Sequence, residues 1–254
     1  MQADSRFNKA GIFFTELQSV ESTNNYAMAA MQNGLGSHAH VWFAHNQTKG
    51  KGQRNKNWIS PPGENLAMSM ALDTRSLRLS QLFEISVVAA LAAHSFFNKK
   101  TSGHTTIKWP NDIYWCDRKA GGILIENIIK GSNWHFAVIG IGININQTAF
   151  DDSLPNPVSL KQITGQTYEP AALARELSYD VLSMFNTLIE EGFDAMLSSY
   201  NAVLYKRDAA VKLKQGSRVF NCTVKEVNRY GQLITEGAMP GVFDFGEVEW
   251  IINI

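Results

Sequence analysis

The amino-acid sequence predicts an α+β fold: a mixed, largely antiparallel sheet with helices, followed by a small all-β C-terminal domain. Three observations predict it. Residues 105–145 are β-rich and cut at short intervals by tight turn signals, the pattern of antiparallel hairpins. Residues 79–98 and 171–205 are helical in character, the first with Leu82, Ile85, Val88, Ala89, Ala92 and Phe96 at core-facing spacing and the second broken near Gly192. After Lys206-Arg207 the texture changes to short β-rich runs about ten residues apart with Gly- or Asn-rich turns, the pattern of a β-barrel of about 45 residues. The expected division is residues 1–206 and 207–254.

In chain order, Ile12–Leu17 reads as a short strand. Glu21-Ser22-Thr23-Asn24 then precedes an Ala/Met-rich stretch that ends at Asn33-Gly34, the start and stop signals of a short helix. His40–His45 and Asn65–Leu72 read as strands on either side of a polar, Gly-containing loop. Thr105–Trp109, Ile113–Trp115, Gly122–Ile129 and Trp134–Ile145 supply the hairpins. The last five strands are expected at Ala209–Leu213, Val219–Val227, Gln232–Thr235, Val242–Phe245 and Val248–Ile252.

Composition removes several function classes. The 254 residues hold 23 Lys+Arg against 23 Asp+Glu, with 44% hydrophobic and 18% charged residues, which excludes a disordered chain. Balanced charge takes away the simplest electrostatic case for nucleic-acid binding. No apolar run approaches the roughly 18–20 residues of a membrane span, and the N-terminal MQADSRFNKAGIFF lacks a signal-peptide layout. Cys116 and Cys222 form neither a disulfide framework nor a metal-ligand spacing, so a reducing cytoplasm is the expected location.

Three segments could carry chemistry. In Thr48–Trp58, TKGKGQRNKNW, four cations (Lys49, Lys51, Arg54, Lys56) and two glycines fall within eight residues. Glycines let backbone N–H groups approach an anion and the cations offset its charge, although a solvated basic loop has the same composition; the Walker A spacing is absent. In Lys108–Gly122, KWPNDIYWCDRKAGG, a Pro-Asn-Asp turn explains the hairpin. It explains less well why Lys108, Asn111, Asp112 and Lys119 crowd the ends of apolar strands; carboxamide, carboxylate and ammonium together suit a magnesium-nucleotide site. In Val138–Asn146, VIGIGININ, Gly-x-Gly within so apolar a strand marks a bulge or a close backbone approach, and no third glycine and helix follow to make a dinucleotide fold. Asn144 is polar where burial is expected. The six histidines show no metal spacing or triad companion, and no nucleophile elbow or paired carboxylates point to a hydrolase. From the residues alone, the chain is an anion- or nucleotide-binding α/β protein.

Taken together, the segments resemble the biotin–protein ligases. Glu21-Ser22-Thr23-Asn24, Gln47-Thr48-Lys49-Gly50-Lys51-Gly52, the run Trp58…Ser60-Pro61…Gly63-Glu64-Asn65-Leu66, Lys108-Trp109-Pro110-Asn111-Asp112, Arg118-Lys119…Gly122-Ile123-Leu124-Ile125-Glu126 and Gly140-Ile141-Gly142-Ile143-Asn144 occur in that family's order. The resemblance implies a class II synthetase-like catalytic domain with an SH3-like C-terminal barrel. It also implies a two-step reaction: biotin and ATP, with Mg²⁺, give biotinyl-5′-adenylate and pyrophosphate, and a lysine of a carboxylase's biotin carrier domain then takes the biotinyl group.

Residue by residue, the resemblance makes Lys119 the catalytic lysine, and has Lys51 close over the adenylate with the backbone of Gly50 and Gly52. Ser22, Thr23, Asn24 and Gln47 would hydrogen-bond the ureido ring, and Trp58 would pack on adenine. Asn111, Asp112 and Asn144 would face phosphates or Mg²⁺ and Lys108 a phosphate, with Gly122 and Gly142 beside them. Two departures stand out. The helix-turn-helix domain of family members that repress transcription has no counterpart in the roughly 11 residues before Ile12, so no DNA partner is expected. Where many members read Gly-Arg-Gly-Arg-Arg-Gly, this chain has Gly50-Lys51-Gly52-Gln53-Arg54-Asn55, so Gln53 replaces an arginine and Arg54 is the expected compensating cation. A monomer or weak homodimer without membrane attachment is expected. The rivals are a lipoate or octanoate transferase of the related fold, and a non-enzymatic nucleotide- or DNA-binding regulator.

Overall fold

The computed structural model describes residues 11–237 and 240–252. Residues 1–10, read above for a leader, lie outside them. The chain begins with β1 (Phe13–Leu17), α1 (Thr23–Gln32), β2 (His40–Ala44) and β3 (Leu66–Asp73). Next come α2 (Leu82–Thr101), the short strands β4 (Thr105–Lys108) and β5 (Asp112–Trp115), and the long hairpin of β6 (Arg118–Lys130) and β7 (Asn133–Ile143). Then follow α3 (Leu160–Thr164), α4 (Pro170–Glu191) and α5 (Asp194–Ala202).

The seven strands form one sheet in the order β1-β2-β3-β7-β6-β5-β4. Every pairing is antiparallel except β1 with β2, which are parallel because α1 carries the chain across between them. Strand alternation divides the sheet's two faces. Val41, Phe43, Met68, Met70, Leu72, Ile139 and Ile141 belong to the main core, which also holds the buried residues of α2 and α4. Trp42, Ala71, Ile128 and Val138 point the other way and meet Ala27, Ala30 and Met31 of α1.

By length and hydropathy, the helical run Leu79–Thr101 could cross a membrane, contrary to the sequence reading. Its apolar side chains, Ile85 to Phe97, are instead in the main core of the protein. The short α3 was also not anticipated, although Ser159 and Gln162 form a reciprocal capping box at its start.

Residues after 209 form a second, five-stranded sheet from β8 (Ala210–Gln215), β9 (Arg218–Val227), β10 (Leu233–Glu236), β11 (Gly241–Phe243) and β12 (Glu249–Ile251). Its order is β11-β10-β9-β8-β12, all antiparallel. Among the described residues β11 and β12 are its two edges, and its five short antiparallel strands fall where the spacing predicts the small β-domain.

Two polar anchors hold this sheet on the helical layer and the larger sheet. The buried Asn201 carboxamide donates to the Val227 carbonyl (2.9 Å) and accepts from the Val227 N–H (2.8 Å). The Trp109 indole N–H donates to the Gly231 carbonyl at 2.8 Å. Replacing Asn201 by Ala strands both backbone groups of Val227, each at roughly 1–3 kcal/mol. Asn201→Ala is therefore expected to lower stability by about 2–4 kcal/mol in urea unfolding, and an unchanged midpoint would refute the clasp.

Candidate functional site

The site is built on the α1 face of the large sheet, and its floor is made of small residues because of strand register. Lys108, Asp112, Gly122, Gly142 and Ala67 pair in turn across β4, β5, β6, β7 and β3. Directly paired residues share a face, so this row runs from two charged side chains at the sheet's end to bare backbone in the middle. The next row on the same face is Leu124, Gly140 and Ser69.

Over this floor lie groups from elsewhere in the chain. A Cβ on Gly140 would stand 2.2 Å from Asn24 Oδ1, and one on Gly142 would stand 2.6 Å from the Trp58 ring. The Gly-x-Gly motif is thus a close backbone approach, one of the two readings its composition allowed. Gly122 has no such constraint, since its added Cβ would meet Asp112 and Lys119 atoms at ordinary distances of 3.5 Å or more.

At one end is an uncharged hydrogen-bond network. Ser22 caps α1 by accepting from the Asn25 N–H. Gln47 Oε1 accepts from the Thr23 N–H (2.7 Å) and hydroxyl (3.1 Å). The Ser69 hydroxyl lies 2.8 Å from Thr23 Oγ1 and 2.6 Å from Asn24 Oδ1. Asn24 Nδ2 donates to Glu126 Oε2 (2.9 Å) and the Leu124 carbonyl (3.3 Å). The carboxamides are thereby oriented: Gln47 has its oxygen occupied and its NH₂ left to donate. Glu126 and Ser69 were not among the residues singled out from sequence. Ser69 had a signal, a lone hydroxyl within the otherwise apolar core of LAMSMALD.

Above it the glycine loop folds back on itself, with Gly52 N–H donating to the Lys56 carbonyl (2.7 Å) and Trp58 N–H to the Gly50 carbonyl (2.8 Å). A Cβ on Gly50 would collide with the Trp58 carbonyl at 2.3 Å. Lys51 Nζ stands 3.8 Å from Glu126 Oε1. Gln53 Nε2 donates to the Ile123 carbonyl (3.4 Å), which also accepts from Asn111 Nδ2 (2.7 Å). Arg54 has left-handed φ/ψ of 54° and 45°, and its guanidinium lies against Gly246, with Cζ 3.2 Å from where a Cβ there would stand. Arg54 thus reaches the turn at Gly246, between β11 and β12.

At the other end the charges gather. Lys119 Nζ pairs with Asp112 Oδ1 at 2.6 Å. Asn144 is buried and gives its Nδ2 to the carbonyls of Val158 (3.1 Å) and Lys119 (3.4 Å). Asn111 and Asn144, expected to face phosphate, therefore use their amide nitrogens as scaffold for the lysine-bearing strand. Lys108 Nζ has no ion pair among the described residues and lies 5.2 and 5.4 Å from the ring centroids of Tyr114 and Trp250. Burial pushes its pKa down to about 8; Asp112 opposes the shift and Lys119 and Lys56 add to it. Burial, with Asp112 and Asp117 nearby, raises the Tyr114 hydroxyl well above the ordinary phenol range. No group of three or more His, Cys, Asp or Glu side chains gathers for a metal among the described residues.

A neutral polar cradle joined across bare backbone to clustered ammonium groups is a site for a molecule with an uncharged hydrogen-bonding head and an anionic tail. Residues 16–144 match the model of the biotin/lipoate A/B protein ligase family. The chain belongs to this family. It is 31% identical over 160 residues to the biotin–[acetyl-CoA-carboxylase] ligase of Paracoccus denitrificans, covering 61% of this chain and 65% of that protein. It is 29% identical over 223 residues to the bifunctional ligase/repressor BirA of Salmonella typhimurium, covering 85% of this chain and 67% of that protein. The biotin protein ligase of Aquifex aeolicus in complex with biotin and ATP has the same fold, with TM-score 0.80 at 21% identity over 95% of this chain and 99% of that one.

Within this biotin/lipoate ligase fold, the two inner glycines differ in what they tolerate. Gly140→Ala must displace Asn24, so a loss of about 1–3 kcal/mol in stability is expected. Gly122→Ala should stay within about 0.5 kcal/mol. Paired denaturation curves check the contrast, and equal effects would contradict it.

Proposed function

We infer that this protein is a biotin protein ligase, which joins biotin to ATP as biotinyl-5′-adenylate and transfers the biotinyl group to a lysine of a biotin carrier domain. The observation that carries the reading is the oriented, uncharged network of Thr23, Asn24, Gln47 and Ser69 set across the glycine floor from Lys108 and Lys119. A ureido ring is neutral and offers one carbonyl acceptor and two N–H donors. Its recognition needs fixed amides and hydroxyls, since each unmatched buried polar group costs roughly 1–3 kcal/mol. A dithiolane ring offers no such groups and would leave the network unpaired. That is the argument for biotin over lipoate within the family.

In the first step the biotin carboxylate attacks the α-phosphorus of ATP and pyrophosphate leaves. Both reactants are anionic, so their approach depends on nearby cations. We assign this to Lys119, with Lys108 on a leaving phosphate and Lys51 over the adenylate. Asp112, 2.6 Å from Lys119 Nζ, holds that ammonium toward the row of glycines. A magnesium ion arriving with the triphosphate would take its oxygens largely from phosphates and water, with Asp112 the carboxylate at hand, and would neutralise phosphate charge. Trp58, laid flat over Gly142, would border the adenine, and the loop from Gly50 to Gln53 would shield the mixed anhydride from water. In the second step the carrier's lysine amine attacks the biotinyl carbonyl and AMP departs.

Intact-mass analysis of a carrier domain incubated with the protein, ATP, Mg²⁺ and either biotin or lipoate tests the reading. Addition of biotin is expected, and transfer of lipoate alone would refute it. Lys119→Ala should lower ATP–pyrophosphate exchange by about a hundredfold or more without unfolding the protein, the usual loss for one transition-state contact. A folded variant with near-normal exchange would exclude that role.

The sign of the pH dependence follows from Lys108. In the free protein its ammonium is charged below a pKa of about 8, and phosphate favours the charged form. KM for ATP should therefore be flat at lower pH and rise as pH climbs through 8. In Lys108→Met the rising limb should vanish and KM should be high throughout. A limb that persists in that variant would assign the titration to another group.

A further inference from the structure

Lys108 is a half-buried cation held without an anion. Among the described residues its ammonium has no carboxylate within ion-pair distance; the neighbouring Asp112 oxygen is taken by Lys119 at 2.6 Å. What surrounds it instead are two aromatic rings, Tyr114 at 5.2 Å and Trp250 at 5.4 Å. The choice of partner matters. A carboxylate would orient the ammonium and also cancel its charge, and an incoming phosphate would have to compete with it. Ring faces orient a cation through their quadrupole and leave the full positive charge in place.

Tyr114 belongs to the same hairpin as Lys108, on β5. Trp250 does not: it lies on β12, the edge strand of the C-terminal sheet, and it also touches the Tyr205 ring at 5.7 Å. Pairing with β8 fixes its backbone, and among the described residues its buried indole N–H meets no acceptor, so the side chain offers the site ring faces alone. Other contacts bring the same sheet to the same end of the site. Trp109, next to Lys108, donates to Gly231 and meets Phe245 edge-on at 6.4 Å, and Arg54 lies on Gly246.

We propose that Trp250 is a positioning residue for the nucleotide: from the C-terminal sheet it completes, with Tyr114, an aromatic slot that holds the Lys108 ammonium uncompensated and ready for the phosphates of ATP. This rests on the ligase reading for the identity of the nucleotide. The slot itself requires only a polyphosphate, which allows the two ideas to fail separately.

The test is calorimetric titration of the full-length protein with magnesium pyrophosphate, with ATP and, separately, with biotin. A cation–π contact that is largely desolvated is worth up to about 2 kcal/mol, or about thirtyfold. Trp250→Leu should weaken pyrophosphate and ATP by about five- to thirtyfold and leave biotin within about twofold. Trp250→Phe keeps a ring face and should stay within about threefold of the parent for all three. In a Lys108→Met background, Trp250→Leu should cost little further affinity, because the group it positions is gone. The proposal is overturned if Trp250→Leu binds pyrophosphate like the parent, if biotin and pyrophosphate fall together, or if the losses from Lys108→Met and Trp250→Leu simply add. A parent protein that binds pyrophosphate through this slot yet forms no biotinyl-adenylate would sink the ligase reading and leave the slot standing.

Discussion

The site depends on one steric constraint, the absence of side chains at Gly140 and Gly142 on β7. Gly122, beside them on β6, has room for a methyl group, and these two do not. At these two places the space is filled by Asn24 and by Trp58, which come from the start of α1 and from the glycine loop. The constraint acts at both ends of the ligand. Gly140 lets α1 come down far enough for Asn24 to reach Ser69, Leu124 and Glu126 at once. Gly142 lets the indole lie on the sheet, and the loop that carries it closes through Gly50, itself too near the Trp58 carbonyl to bear a Cβ. Helix, loop and sheet are thus placed relative to one another by contacts that cost no cavity and admit no larger residue.

Electrostatics divides the same surface. Around Asn24 neutral amides and hydroxyls bond to one another and to Glu126, which has Lys51 3.8 Å away. Around Lys108 the balance is reversed: Lys56, Lys108 and Lys119 face the single carboxylate of Asp112. The depressed Lys108 pKa comes first from burial, with Asp112 opposing the shift and Lys119 and Lys56 adding to it. On the function proposed above, a polyphosphate bound here would meet cations that the protein's own carboxylates leave in excess. A neutral α/β protein overall can therefore hold a strongly basic locus, and net charge gave no sign of it.

Much of this was legible in the residues because it is local. Ser22 before an Ala/Met run with Asn33-Gly34 behind it specifies a capped helix, and α1 has Ser22 as N-cap and Asn33 as C-cap. The apolar spacing from Leu82 to Phe96 specifies α2, and the turn at Pro110-Asn111-Asp112 specifies the hairpin of β4 and β5. Gly-x-Gly in an apolar strand announced a close approach, but not what approaches, since Asn24 and Trp58 lie more than 80 residues away in the chain. For the same reason the sequence gives no sign that Asn111 and Asn144 donate their amide nitrogens to the carbonyls of Ile123 and Val158, which only the folded chain brings to them. The parallel pairing of β1 with β2 and the roles of Ser69 and Glu126 are likewise properties of register across strands, which composition does not encode.

The C-terminal sheet shows where such reading stops and what the fold adds. Its strands announce themselves by spacing, yet the residues that reach the site are Gly231, Phe245 and Gly246 in turns and Trp250 on an edge strand. In isolation these are turn formers and a core aromatic. Their placement follows from a chain of dependencies: Asn201 clasps β9 through Val227, and β9 carries β10 and its turn at Gly231 to the Trp109 indole. The residue before Trp109 is Lys108. The strand pairing of β9 with β8, and of β8 with β12, then delivers Trp250 to the other side of the same lysine. A cation on the catalytic sheet is thus bracketed by two independent contacts to the C-terminal sheet. That arrangement makes the Lys108 end of the site a property of both sheets, while the Asn24 end is built wholly from residues before position 127 and Gly140 beside them.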